Sequence, residues 1–336
     1  MRFLILLVTI AYFALAAASF DYVIVGGGAT GLALAVRLSE DSSKSVVVLE
    51  AGGTGFGNVN ITNLRLSRSN FGTPEDWQFV AVPQTHGGNR VQAQAQGRVL
   101  GGGSAINSGM YTRGNEIEYD ALETLGAKGW NWKSMFAAVK KSERFFPPST
   151  PDVQVLNVTF DPAFHGIAGP VALSLQALNI SRLFPAVVVP TLRALGFEMN
   201  FDSNGGRHNG PSWNYLTVLP DTSTRSHAVS GYYLPVASPL DNPGGSKVAT
   251  LNGANIILSA STLNTPKILE LSGVGDPNVL RSIGIDVQID LQGVGANLCN
   301  QPMSTGTSFL MRNGTVDVGN AIRSAILDFL SRSLRS

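Results

Sequence analysis

Asp21-Tyr22-Val23-Ile24-Val25-Gly26-Gly27-Gly28-Ala29-Thr30-Gly31-Leu32-Ala33-Leu34-Ala35-Val36-Arg37-Leu38 is the stretch on which the fold turns. Residues 21–25 are short, apolar and rich in β-branched side chains, the pattern of a buried strand, and Leu32 to Leu38 form an Ala/Leu-rich helix. Between them Gly26, Gly28 and Gly31 carry the G-x-G-x-x-G spacing. The first glycine permits a tight turn, and the second lets backbone approach a pyrophosphate at the positive end of the helix. The third allows close helix–strand packing. Ser45 to Leu49 supplies a second apolar strand that ends at Glu50, 19 positions beyond Gly31. A carboxylate there accepts hydrogen bonds from a ribose hydroxyl and repels a 2′-phosphate. The unit is βαβ, with a right-handed parallel crossover expected. A glycine-rich turn in an ordinary α/β protein gives the same spacing, and the motif does not by itself choose between FAD and NAD.

Two further segments bear on that choice. Gly97-Arg98-Val99-Leu100-Gly101-Gly102-Gly103-Ser104-Ala105-Ile106-Asn107-Ser108-Gly109-Met110-Tyr111-Thr112-Arg113-Gly114 is long and glycine-dense, a backbone able to lie flat against a planar ring and offer N–H groups to it. The second is Ser261-Thr262-Leu263-Asn264-Thr265-Pro266-Lys267-Ile268-Leu269-Glu270-Leu271-Ser272-Gly273-Val274-Gly275. With both in place, the chain resembles the glucose–methanol–choline (GMC) family of FAD oxidoreductases. The likeness runs from about residue 20 to 300, through Gly129-Trp130, His165-Gly166 with Gly169-Pro170, and Arg225 before Gly231-Tyr232-Tyr233-Leu234-Pro235. It is most similar to the secreted fungal aryl-alcohol-oxidase-like branch. A nicotinamide dehydrogenase would share the first motif but give no role to 97–114 and 261–275.

The resemblance implies an α/β fold: a Rossmann-like FAD-binding domain with an inserted, incomplete α+β substrate domain. It implies oxidation of a small-molecule alcohol, with a base removing the hydroxyl proton while the carbon-bound hydrogen leaves as hydride to the flavin. Carried over by position, Gly26, Gly28, Gly31, Glu50, Gly53, Gly103, Ser104, Asn107 and Met110 would contact FAD. Ile106 stands where some relatives have a histidine bonded to the flavin, so the FAD is expected to be non-covalent. The family's catalytic histidine and its His or Asn partner would fall beyond Ser336, so no catalytic residue is assigned here. The stretch from Leu234 to Ser259 is shorter than in relatives, which carry a strand-rich piece there over the adenine. A second reading is therefore a non-catalytic truncated remnant, or an incomplete gene model, of such an enzyme. Where the family usually has Asp-His, this chain has Asn300-Gln301.

Expected segments are 1–18 as a signal peptide, 20–149 and 225–302 as the FAD-binding domain, 150–224 and 303–336 as substrate-domain parts. Arg2 followed by the apolar run Phe3 to Ala18, with Ala16 and Ala18 as an A-x-A site, reads as a secretory leader too short for a membrane span. Sequons at Asn60, Asn157, Asn179 and Asn313 fit glycosylation in a secreted protein. With 44% hydrophobic residues the chain can build a substantial core, and a net charge of +1 gives no electrostatic reason for a nucleic-acid partner. Cys299 is the only cysteine, which rules out an intramolecular disulfide and cysteine metal clusters.

The sequence further predicts a loop-like stretch from Thr54 to Gln96 and a helix from Trp132 to Phe145. A strand at Val171–Leu175 and a helix at Pro185–Leu195 follow. Strand character over Lys247–Ala260 carries Asn252-Gly253 as a hairpin turn, and Pro266 opens a helix at its first position. An amphipathic helix is expected at 321–334. The histidines His86, His165, His208 and His227 read as solvated or structural, and Trp77 and Tyr111 as packing residues able to line a substrate pocket.

Overall fold

The computed structural model describes residues 4–7, 19–175, 189–236 and 251–299. The elements used below are, in chain order, β1 (Leu4–Leu7), β2 (Ser19–Val25), α1 (Ala29–Leu38), β3 (Val46–Glu50), α2 (Gly103–Ile106) and β4 (Met110–Tyr111). They continue as α3 (Trp132–Ser142), β5 (Glu143–Phe146), β6 (Val171–Ser174), β7 (Tyr215–Leu216), β8 (Asn252–Leu258) and α4 (Ser261–Leu271). Two compact units result. One holds the described residues up to Gly109 and those from Thr222 onward, and the other holds Met110–Asp221.

The first unit is built on a parallel sheet in the order β1-β3-β2-β8. Strand β2 pairs with β3 from Tyr22 opposite Val46 to Val25 opposite Leu49, and with β8 from Ser19 opposite Asn252 to Val25 opposite Leu258. This is the expected βαβ crossover and the Rossmann-like α/β architecture. Parallel strands covered by a helix are apolar along their length, as Val46, Val47 and Val48 are, each at most 2% exposed. Ile24 and Leu32 are fully buried between sheet and helix, each worth about 1.5–3 kcal/mol of apolar burial. Leu100, Ala228, Val229 and Tyr233 complete that core from distant parts of the chain. The Ser39 hydroxyl, donating to the Val36 carbonyl at 2.9 Å, helps finish α1.

The second unit has a four-stranded mixed sheet in the order β4-β7-β6-β5, with β5 and β6 parallel and the other pairs antiparallel. Its core joins Phe145, Leu173 and Tyr215. Residues 110–149 pack with this unit.

Several expectations need correcting. Asn252-Gly253 is no hairpin turn: both residues pair with β2, Asn252 opposite Ser19 and Gly253 opposite Phe20. Local turn propensity loses there to a sheet edge, and the glycine is required because a Cβ on it would lie 2.6 Å from Val23 Cγ2. Pro266 does not open its helix but sits inside α4, which starts at Ser261. The helix from Trp132 ends at Ser142, and Glu143–Phe146 extends as β5 beside β6, because Glu143 and Phe145 are both drawn into the interior. Within the Thr54–Gln96 stretch a short helix (Val59–Thr62) and a 3-10 helix (Leu64–Asn70) form, capped by Asn58 and Asn63. The strand expected at Val171–Leu175 forms over Val171–Ser174, and of the helix expected at 185–195 the described residues form Val189–Ala194. The helix expected at 321–334 and the sequons at Asn179 and Asn313 lie outside the described residues.

Candidate cofactor site

The glycine turn after β2 is shaped by contacts that no side chain would survive. Gly26 has φ +112°, and a Cβ on it would stand 2.3 Å from the Ser259 carbonyl oxygen. A Cβ on Gly31 would stand 1.9 Å from the Gly26 carbonyl oxygen, so the third glycine serves helix–strand packing. A Cβ added at Gly28 would meet nothing nearer than Gly102 Cα at 3.9 Å. That leaves its surface open. Helix α1 begins at this point with no side chain capping it, so its first N–H groups are available to an anion.

The glycine-dense segment runs alongside that turn. Gly101 N–H donates to the Gly27 carbonyl at 2.8 Å, and Leu100 N–H to that of Gly53 at 2.9 Å. Gly28 and Gly101 form a parallel bridge, as do Gly53 and Val99. Gly102 has φ +52°, and a Cβ there would come within 2.9 Å of Gly28 Cα. Beyond it the Ser104 hydroxyl donates to the Gly101 carbonyl at 2.6 Å and accepts from Ala228 N–H at 3.2 Å.

Glu50 is buried at the end of β3. One carboxylate oxygen accepts from Gly27 N–H and the other from Gly52 N–H, each at 2.8 Å. Burial pushes its carboxyl above the ordinary range, opposed by the hydrogen bonds from Gly52 and Gly27. Each oxygen keeps a lone pair for a further donor.

These pieces border a cavity of about 710 Å³, lined in part by Gly26, Gly28, Glu50 and Gly103. Its volume suits a cofactor-sized molecule. Of the other residues expected to contact FAD, Gly31 packs beneath the turn, while Gly53, Ser104 and Asn107 belong to the same unit without lining this cavity. Met110 lies on β4 of the second unit. The lining also includes Gln96, Ser259, Ser261, Asn264 and Lys267, which were not singled out one by one. Three of these fall in the 261–275 signature, where the motif marks the segment but not which side faces a ligand. Trp77 lines the cavity, stacked on Phe79 at 5.9 Å with the Arg98 guanidinium 5.2 Å from its ring. Tyr111 packs against the core of the second unit.

The histidines are engaged elsewhere. His86 is exposed on a 3-10 turn. His165 is buried among ionised groups, and the His208 backbone N–H donates to Asn115 Oδ1 while its ring Nε2 is buried without a hydrogen-bond partner among the described residues. His227 contacts Ser230 through Nδ1 at 3.2 Å, and burial together with the Arg225 charge pushes it down to about 4. Among the described residues no group of His, Cys, Asp and Glu could hold a metal ion, and no helix is long and apolar enough to cross a membrane.

The profile of the GMC oxidoreductase family matches residues 20–238, more than half of the chain. The chain belongs to the GMC oxidoreductase family. Among GMC proteins it is 32% identical over 330 residues to "GMC oxidoreductase family protein Mala s 12" of Malassezia sympodialis, covering 88% of this chain and 53% of that protein. It is 34% identical over 315 residues to the glucose oxidase-like protein fsoC of Humicola fuscoatra, covering 84% and 54%. A solved FAD-dependent oxidoreductase from Chaetomium thermophilum superposes with a TM-score of 0.73 at 32% identity, over 82% of this chain and 51% of that one. A fungal aryl-alcohol oxidase gives 0.70 at 26% identity, over 82% and 51%. This GMC chain therefore spans about half the length of the curated relatives it matches.

Proposed function

We propose that this chain is the flavin-holding part of an FAD-dependent oxidoreductase acting on the CH–OH group of a small-molecule alcohol. The observation that carries the reading is the double glycine cradle. The turn at 26–31 and the loop at 97–103 approach within backbone contact beside an uncapped helix start, and Glu50 closes the same cavity. Apposed backbones without side chains suit a flat, polyanionic dinucleotide, and a buried carboxylate with lone pairs to spare suits its ribose. The α1 N-terminus would hold the pyrophosphate, Glu50 the ribose hydroxyls, and Gly103, Ser104 and Asn107 the ring system. Ile106 is 3% exposed among Ile61, Val99 and Ala105 and offers no nucleophile, which supports non-covalent binding. When bound, FAD supplies a two-electron acceptor for hydride. Specificity and the electron acceptor belong to the whole protein. The leader-like residues 1–18 support secretion of that protein.

In a second reading this chain folds and holds FAD without turning over alcohol, in keeping with a cavity whose described lining contains no histidine. Expressing the chain, desalting it and recording the visible spectrum with and without added FAD tests the first claim. A retained flavin band is expected, and colourless protein after FAD addition sinks the reading. Bleaching of that band by alcohols under anaerobic conditions separates the catalytic form from the remnant.

A further inference from the structure

Arg225 is a buried cation whose hydrogen bonds converge on the end of the cofactor loop. Its side chain is 1% exposed, and no carboxylate pairs with it among the described residues. Nε donates to the Ile61 carbonyl at 2.7 Å. Nη1 donates to Asn107 Oδ1 at 2.8 Å and more weakly to the Ser104 carbonyl at 3.3 Å. The Arg225 backbone is itself fixed, its N–H donating to the Thr62 carbonyl at 2.8 Å. Asn107 Oδ1 takes a second donor, Gly109 N–H, at 2.9 Å.

Two donors on one oxygen settle which way a carboxamide points, because the opposite orientation would set NH₂ against two N–H groups. Asn107 is exposed, and its Nδ2 has no hydrogen-bond partner among the described residues. A charged donor makes the stronger bond, and a guanidinium holds three acceptors at fixed angles in a way an ammonium cannot. We propose that Arg225 is a positioning residue for the cofactor loop, locking the Asn107 amide oxygen inward so that its NH₂ group is offered as a donor to the bound ligand. The proposal rests on the FAD reading above and adds to it a residue that stands one hydrogen bond behind the Asn107 amide.

The test uses the full 336-residue chain. FAD affinity is measured by flavin fluorescence, the flavin environment by visible circular dichroism, and apo-protein melting separately. Arg225→Lys is expected to weaken FAD binding at least tenfold and change the visible dichroism. In an Asn107→Ala background the same substitution is expected to change neither, since coupling runs through Asn107. Asn107→Asp keeps an acceptor for Arg225 while losing the NH₂ donors. It should melt like the wild type and still lose at least tenfold in FAD affinity, which keeps the proposal testable if Arg225→Lys fails to fold. Equal losses from Arg225→Lys in both backgrounds would overturn it, as would Asn107→Asp binding FAD like the wild type. A wild-type chain that binds no FAD overturns the FAD reading and this inference with it, whereas the other outcomes leave the FAD reading standing.

Discussion

His165 Nε2 lies 2.9 Å from Asp202 Oδ2, and both side chains are buried in the second unit. On the other side of the imidazole, Nδ1 is 3.3 Å from Glu143 Oε1, an ion contact without hydrogen-bond alignment. Glu143 Oε1 also accepts from Arg113 Nη2 at 2.8 Å and from Gly166 N–H at 2.6 Å. Phe145 stacks on the ring at 3.8 Å and Tyr215 meets it edge-on at 5.6 Å. Two carboxylates, one guanidinium and one imidazole are electrically balanced only when His165 is protonated.

Against the desolvation of their burial, these bonds hold Glu143 and Asp202 below the ordinary carboxylate range and His165 above the ordinary imidazole range. The stability contributed by His165 is complete below its unfolded value of about 6.5 and is lost as pH rises through the raised folded value. That from the carboxylates is complete above about 4 and is lost as pH falls through their lowered values. The second unit should melt highest at mildly acidic pH and fall off on both sides. Melting followed by tryptophan fluorescence across pH checks this, with His165→Gln expected to flatten the alkaline limb and cost about 3–5 kcal/mol. An unchanged alkaline limb in that variant would remove His165 from the account.

Gly31 and Gly103 should respond oppositely to alanine. At Gly31 the new Cβ meets the Gly26 carbonyl at 1.9 Å, so Gly31→Ala should destabilise the first unit by several kcal/mol. A Cβ added at Gly103 would meet nothing within 4 Å, so Gly103→Ala should leave apo-protein melting within about 0.5 kcal/mol while lowering FAD affinity at least tenfold. Melting curves and FAD titrations on the two variants distinguish a packing glycine from a ligand-facing one.

Ser261 opens α4 with φ +85°, a backbone state that L-residues adopt at a cost, and it lines the cavity beside the glycine turn. Ser261→Gly should stabilise the first unit by about 1 kcal/mol, which differential scanning calorimetry reads as a rise of a few degrees. A fall in melting temperature would mean that the Ser261 hydroxyl, which accepts from Asn264 N–H at 3.4 Å, outweighs the strain.

Leu4–Leu7 pairs with Val47–Glu50 as the edge strand beside β3. If secretion removes residues 1–18, intact-mass measurement of the secreted protein should find a chain beginning near Ser19. Hydrogen exchange at the β3 amides should then be faster in the 19–336 chain than in the 1–336 chain. A secreted chain that retains residue 4 would contradict cleavage.

Local sequence determined the first βαβ unit. The apolar run at 21–25, the glycines at fixed spacing and Glu50 each act through near neighbours, so strand, turn and helix were legible without any long-range knowledge. The segments 97–114 and 261–275 were legible as motifs. That the loop at 97–103 lies against the turn at 26–31, and that Ser259 closes on Gly26, came only from tertiary structure, since each contact joins residues far apart in the chain. The same holds for the misread positions. Asn252-Gly253 has turn chemistry, yet β2 offers it a full parallel ladder, and Glu143 has helix propensity, yet Arg113 and His165 draw it into a buried strand. Arg225 gave no sign in the sequence of what it holds, because three acceptors converge on its guanidinium from Ile61, Ser104 and Asn107 only once the chain has folded. Propensity is a preference of a few tenths of a kcal/mol per residue, and a satisfied buried ion or sheet edge outweighs it.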